Sequence, residues 1–126
     1  MKEAILLVHF TDRARRNQLV KALLPLRLPL KEIPQEDYGK RIGYLAGVKE
    51  LGAEETQSLG EELSGELLVM AGLSGQRMDQ VLRSIRKSGI YIPYKAVLTP
   101  SNQNWNVWEL FEEIKKEHEK MSGRET

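Results

Sequence analysis

The chain has 126 residues, 40% of them hydrophobic and 29% charged, with 19 basic against 18 acidic side chains. That size suits one ordinary domain with a buried core, and the near-neutral balance gives no global field to recruit nucleic acid or an anionic membrane. No cysteine is present, which excludes disulfides, thiolate catalysis and cysteine-held zinc or iron–sulfur centres.

The first apolar run, Ala4-Ile5-Leu6-Leu7-Val8, is continuous rather than alternating, the mark of a strand covered on both faces. It is too short to cross a membrane and lacks a signal-cleavage pattern, so a cytoplasmic protein is expected. Thr11 or Asp12 can cap the next helix. Its apolar positions are Leu19, Val20, Leu23 and Leu24, and Pro25 ends it because the residue before a proline disfavours helical geometry. Prolines 25, 29 and 34 hold the chain extended through Leu30-Lys31-Glu32-Ile33. Gly39, Gly43 and Gly47 recur every four residues. In a helix over 37–48 they would line one face, at ~1 kcal/mol each relative to alanine, which points to close backbone approach against the sheet or across a homodimer interface.

Charge divides the chain: residues 1–49 carry a net +5, residues 50–66 hold six glutamates and no basic residue, and the remainder carries +2. With Gly52, Gly60 and Gly65, the acidic stretch 50–66 reads as a solvated linker between halves 1–49 and 67–126 of a single domain. The second half repeats the pattern of the first. Leu67-Leu68-Val69-Met70 is a strand, and Ser74 caps a helix using Met78, Val81, Leu82 and Ile85. Arg86, Lys87 and Gly89 close that helix, and Tyr94 to Thr99 is the next strand. Asn106 and Glu109 form a capping box, with Trp105 placed to staple against Leu110. Leu110, Phe111, Ile114, His118 and Met121 then make one stripe.

Strand-helix-strand-helix repeated twice predicts an α/β fold, a four-stranded sheet covered by helices and parallel where the crossovers allow it. The alternative is a ferredoxin-like α+β sandwich, in which the first strand of the second half inserts between the strands of the first.

Leu68 to Leu73, then Ile92-Pro93-Tyr94-Lys95-Ala96-Val97-Leu98-Thr99-Pro100 with Asn102 and Trp105, resemble a small bacterial domain family of unknown function. The resemblance covers roughly the last half of the chain. It implies a bacterial cytoplasmic origin and carries no reaction, ligand or catalytic residue.

The residues themselves therefore have to supply any chemistry. The sequence contains no phosphate loop, dinucleotide fingerprint or nucleophile elbow, and its two histidines, His9 and His118, have no metal-ligand spacing. No cofactor and no metal are implied. Lys95, in strand alternation with Val97 and Thr99, has a partly buried stem. It can act as a base or hold an anion, or else pair or reach solvent as strand lysines usually do. The segment Thr99, Asn102, Asn104 and Trp105 offers polar groups beside an indole, although caps and turns need the same residues. Ser74 and Arg77 sit where a helix start can take an anion.

In a parallel sheet, His9 and Thr11 would gather with Ser74 and Thr99 at one edge, the place where open sheets bind ligands. Arg13, Arg15 and Arg16 open a helix against its dipole at ~0.3 to 1 kcal/mol each, which invites an anionic partner. Three function classes follow. A non-catalytic ligand-binding or regulatory interaction module comes first, taking a small anionic ligand or a protein partner. An enzyme acting on a small anionic substrate through Lys95 or His9 is second. A weak nucleic-acid binder using Arg13, Arg15, Arg16, Lys21, Arg27 and Lys31 is third, and the balanced charge argues against it.

Overall fold

In the computed structural model the two central strands are saturated with aliphatic side chains and buried along their whole length. They are β1 (Ala4–Val8) and β3 (Leu67–Ala71). The structure describes residues 2–48, 50–56, 60 and 62–124, and the side chains only as far as residue 120. Alternation along β1 and β3 sends their residues to two separate cores. Leu6, Val8, Leu67 and Val69 face one core, and Ile5, Leu7, Leu68 and Met70 the other.

Helices cover both faces. α1 (Arg13–Leu23) and α3 (Gly75–Ser88) bury Leu19, Leu23, Val81 and Ile85 on one side. α2 (Ile42–Ala46) and α4 (Val107–Arg124) bury Ile42, Ala46, Leu110 and Phe111 on the other. Asp12 caps α1 by accepting from the Ala14 and Arg15 amides, and Ser74 caps α3 by accepting from the Arg77 amide. Gly89, at φ 82°, closes α3 in the left-handed conformation expected of a C-terminal glycine. The outer strands are β2 (Leu30–Ile33) and β4 (Tyr94–Val97).

The strand order is β2-β1-β3-β4. Each outer strand is parallel to its inner neighbour, but β1 and β3 are antiparallel, so the sheet is mixed. The sheet is parallel within each half, where the helical crossovers run, and antiparallel between the halves because the connection between them brings the chain back reversed. The ferredoxin-like alternative fails because β3 pairs outside β1 and does not enter between β1 and β2.

The β1/β3 register is centred on Leu6 opposite Val69. A two-fold axis at that pair exchanges the halves, carrying β1 onto β3, β2 onto β4, α1 onto α3 and the start of α2 onto the start of α4. His9 and Gly72 occupy equivalent places after the central strands, both at positive φ, 63° and 71°.

Three local expectations change. The glycine-spaced helix over 37–48 is not continuous. A 3-10 turn at Gln35–Asp37 and a bridge at Lys40 precede α2, which is one short turn ending at Gly47. Leu24 lies 69% exposed, because α1 tightens after Leu23 into a 3-10 turn over Leu24–Leu26 with Pro25 inside it. β4 stops at Val97 rather than Thr99, where the loop folds back on itself. The acidic stretch holds a buried Leu63, and two of its glutamates pair with Arg41 and Arg15. Glu61 and the side chain of Met121 lie outside the described residues.

Candidate functional site

The antiparallel centre decides where the predicted site residues go. The carboxyl end of β1, with His9 and Thr11, lies at one end of the sheet. Those of β3 and β4, with Ser74, Thr99 and Asn102, lie at the other. The three loops do not form one cleft, and the expectation that they meet is corrected by the direction of β3.

Within each loop the polar groups are committed locally. The Ser74 hydroxyl accepts from the Arg77 amide at 3.1 Å. The Asn102 side chain accepts from the Thr99 amide at 2.9 Å and donates to the Val97 carbonyl at 3.0 Å, while its amide donates to the Thr99 hydroxyl. Trp105 packs on the α2/α4 core, and its carbonyl accepts from the Ile42 amide at 2.8 Å. Thr11 and Asn104 are exposed. The His9 amide donates to the Tyr38 hydroxyl, although burial outweighs that bond and holds the Tyr38 hydroxyl above its ordinary value.

The Lys95 ammonium donates to the Ile92 carbonyl and lies 6.0 Å from the centre of the Tyr91 ring. Burial lowers its pKa, as desolvation disfavours the charged form. Arg77 does not wait for an anion. Its guanidinium binds Glu3 at 3.1 Å, the Leu26 carbonyl at 2.8 Å and Gln80 at 3.3 Å. The arginines at the start of α1 are also answered from within: Arg13 and Arg16 both pair with Glu32, and Arg15 pairs with Glu66. Their unfavourable position against the dipole is compensated by carboxylates from β2 and from the residue before β3.

The cations at the end of α3 are not answered in this way. Arg83, Arg86 and Lys87 line a cleft of about 460 Å³ between α3 and Leu26, with Gln80 and Ser84 as uncharged polar neighbours. None of the three has a carboxylate partner among the described residues. Reading Arg86 and Lys87 only as last-turn cations missed them. The sequence signal that finds them is the spacing: positions 83, 86 and 87 lie three and four residues apart, on one helix face.

Among the described residues no helix is long and apolar enough to cross a membrane. No curated protein and no solved structure matches the chain. Residues 66–121, which run from the residue before β3 into α4 and contain the motifs read as a family resemblance, match the family model of a domain of unknown function, DUF3783.

Proposed function

We propose that this α/β domain is a non-catalytic binding module of regulatory or interaction type, and that it takes a small anionic ligand in the cleft between α3 and Leu26. The observation that carries the reading is a contrast in pairing. Arg13, Arg15, Arg16, Arg41 and Arg77 each have a carboxylate within ion-pair distance. Arg83 and Arg86 have none among the described residues; Arg27 also has none, but only Arg83 and Arg86 line a common cleft, together with Lys87.

Guanidinium groups match phosphate and carboxylate oxygens in pairs, and Leu26 supplies an apolar wall for the body of a ligand. Arg86 and Lys87 also favour the end of the helix dipole, but Arg83 lies a turn earlier, beyond the reach of that effect. The non-catalytic part of the reading rests on Lys95. Its amine is bonded to the Ile92 carbonyl, and among the described residues no acid, base or second nucleophile forms a hydrogen bond or ion pair with it.

The test is thermal unfolding of the full chain with pyrophosphate, citrate and nucleoside mono- and diphosphates. A ligand at a hundred times its Kd adds ~2.7 kcal/mol of stability. A dose-dependent rise in Tm for one of these classes, abolished in the Arg83→Ala/Arg86→Ala double variant, supports the reading. No rise, or a rise the double variant keeps, overturns it.

A further inference from the structure

The cations at the end of α3 are not a by-product of the fold. Asp12 and Ser74 cap α1 and α3, so the two-fold sets Arg83, Arg86 and Lys87 on Lys21, Leu24 and Pro25. The first half therefore builds the same packing with one cation in place of three. Arg83, Arg86 and Lys87 lie exposed along the cleft that Leu26, Gln80 and Ser84 complete, and their charge is extra to what burying Val81 and Ile85 needs.

Arg77 decides what else the cleft offers. Its guanidinium donates to the Leu26 carbonyl at 2.8 Å and to the Gln80 side chain at 3.3 Å. A guanidinium has no acceptor, so the Gln80 oxygen faces Arg77 and its amide nitrogen is the group left for the cleft. Acceptors of two lining residues are thereby engaged, and among the described residues no carboxylate lines the cleft. What remains is a set of donors and positive charges, with the Ser84 hydroxyl as the one side chain able both to donate and to accept. Such a lining fits a head group made only of acceptors and gives the amino groups of a nucleobase little to bond to. Among the described residues no aromatic ring lines the cleft to stack on a base either; its apolar surface is Leu26 and the methylene stems of the longer side chains.

Resting on the anion-binding reading above, we propose that the ligand of this cleft is a diphosphate ester with an aliphatic body. The charge selects the head. Three cations line the cleft, whereas a carboxylate carries a single negative charge, a phosphomonoester about 1.5 to 2, and a diphosphate ester about one more. The Gln80 amide adds a neutral donor to Arg83, Arg86 and Lys87. The volume selects a body: about 460 Å³ lies within the roughly 300 to 1,000 Å³ of small-molecule sites and exceeds what an inorganic anion fills. The aliphatic chain lies on Leu26, the apolar wall.

Isothermal titration calorimetry of the full chain, without divalent cations, compares n-butyl diphosphate with pyrophosphate, n-butyl phosphate and ADP. The butyl diphosphate should bind about fivefold or more tightly than each of the others, since buried methylenes add to its affinity over pyrophosphate. Leu26→Ala should erase the lead over pyrophosphate while leaving pyrophosphate binding unchanged. Should that variant misfold, Gln80→Glu, which leaves the core untouched, should weaken both diphosphates about tenfold by setting a carboxylate where the amide donates. Any of the three other ligands matching n-butyl diphosphate, or wild-type affinity in Gln80→Glu, overturns the proposal and leaves the anion reading standing. Binding of none of the four overturns both.

Discussion

Arg15 and Arg77 hold the same place, the third residue of α1 and of α3, and each guanidinium crosses to the other half to bind the glutamate that precedes its central strand. Arg15 meets Glu66 at 2.6 Å and the Tyr91 carbonyl at 2.9 Å; Arg77 meets Glu3 at 3.1 Å and the Leu26 carbonyl at 2.8 Å. The two-fold exchanges these clamps. Each joins a helix start, a strand start and a crossover loop, so the halves are tied together at both ends of the antiparallel pair.

The clamps are half-exposed at their arginines, which limits their worth. Charge-assisted bonds to a glutamate and a carbonyl together still predict a loss of about 1 to 2 kcal/mol for Arg15→Ala or Arg77→Ala in urea unfolding. A double-mutant cycle on Arg15 and Glu66 should return a coupling of about 0.5 to 1 kcal/mol. Additive losses would show that the pair does not act as a clamp. The Glu66 contact raises the Arg15 pKa, so the arginine is charged at every pH of interest and adds no pH dependence of its own.

Most of the fold was legible in the sequence. Continuous apolar runs identified β1 and β3, and Asp12, Ser74, Gly89 and the Asn106–Glu109 box marked helix ends with local chemistry. The direction of β3 was not legible, because it is set by how two faces bury together, and no local signal in residues 50–66 records it. That one unknown dispersed the predicted site, placing His9 and Ser74 at opposite ends. The clamps were hidden by distance, since Arg15 and Glu66 are 51 residues apart and Arg77 and Glu3 are 74 apart. A trace was present all the same: each half places a glutamate before its first strand and an arginine eleven or twelve residues later.

His9 and Gly72 test the same symmetry through the backbone. Left-handed geometry costs a side-chain-bearing residue roughly 1 to 2 kcal/mol, partly offset by the greater unfolded-state entropy of glycine. His9→Gly should therefore stabilise the domain by about 0.5 kcal/mol, and Gly72→Ala should destabilise it by about 1 kcal/mol. Denaturant midpoints of the two variants moving in the same direction would contradict the account.

The three evenly spaced glycines separate once their surroundings are known. A Cβ on Gly43 would lie 2.5 Å from the end of the Leu51 side chain and 3.0 Å from the Gln103 carbonyl oxygen, whereas one on Gly39 would touch only Glu55, at 3.5 Å. Leu51 can move, but the carbonyl that accepts the Gly43 amide at 2.9 Å cannot without loosening the start of α2. Gly43→Ala should cost about 1 to 2 kcal/mol and Gly39→Ala less than about 0.5. Thermal unfolding of the pair decides whether close approach, rather than periodicity, explains the glycine at 43.

Lys95 makes a prediction about pH. Its pKa is lowered by burial from the ordinary 10.5, so between its folded value and 10.5 the unfolded chain binds more protons than the native one. Its contribution therefore increases stability as pH rises through that window. The same shift leaves a larger fraction of free amine at mildly alkaline pH. Acylation followed by peptide mass spectrometry across pH 7 to 11 should show Lys95 titrating below the ordinary lysine value of 10.5. A midpoint at the ordinary value would mean that the amine is not desolvated.

Asn106 carries the most concentrated polar demand among the described residues, being a fully buried polar side chain. Its Oδ1 accepts from the Glu109 amide at 2.9 Å, the Glu109 carboxylate accepts from its amide at 3.0 Å, and its Nδ2 donates to the Thr56 hydroxyl at 2.6 Å. Thr56 in turn donates its amide to the Gly39 carbonyl at 2.8 Å. One side chain thus caps α4 and anchors the acidic stretch to the turn before α2. Loss of a cap costs ~1 kcal/mol, and loss of the bond to the half-buried Thr56 hydroxyl, which still donates to the Gly39 carbonyl at 3.2 Å, adds about 0.5 to 1.5. Asn106→Ala should therefore lose about 1.5 to 2.5 kcal/mol, while Asn106→Asp keeps the cap but removes the donor to Thr56 and should fall between. Thr56→Val separates the two contributions in the same unfolding measurement: it should cost clearly less than Asn106→Ala, and equal losses would place the whole effect in the tether rather than in the cap.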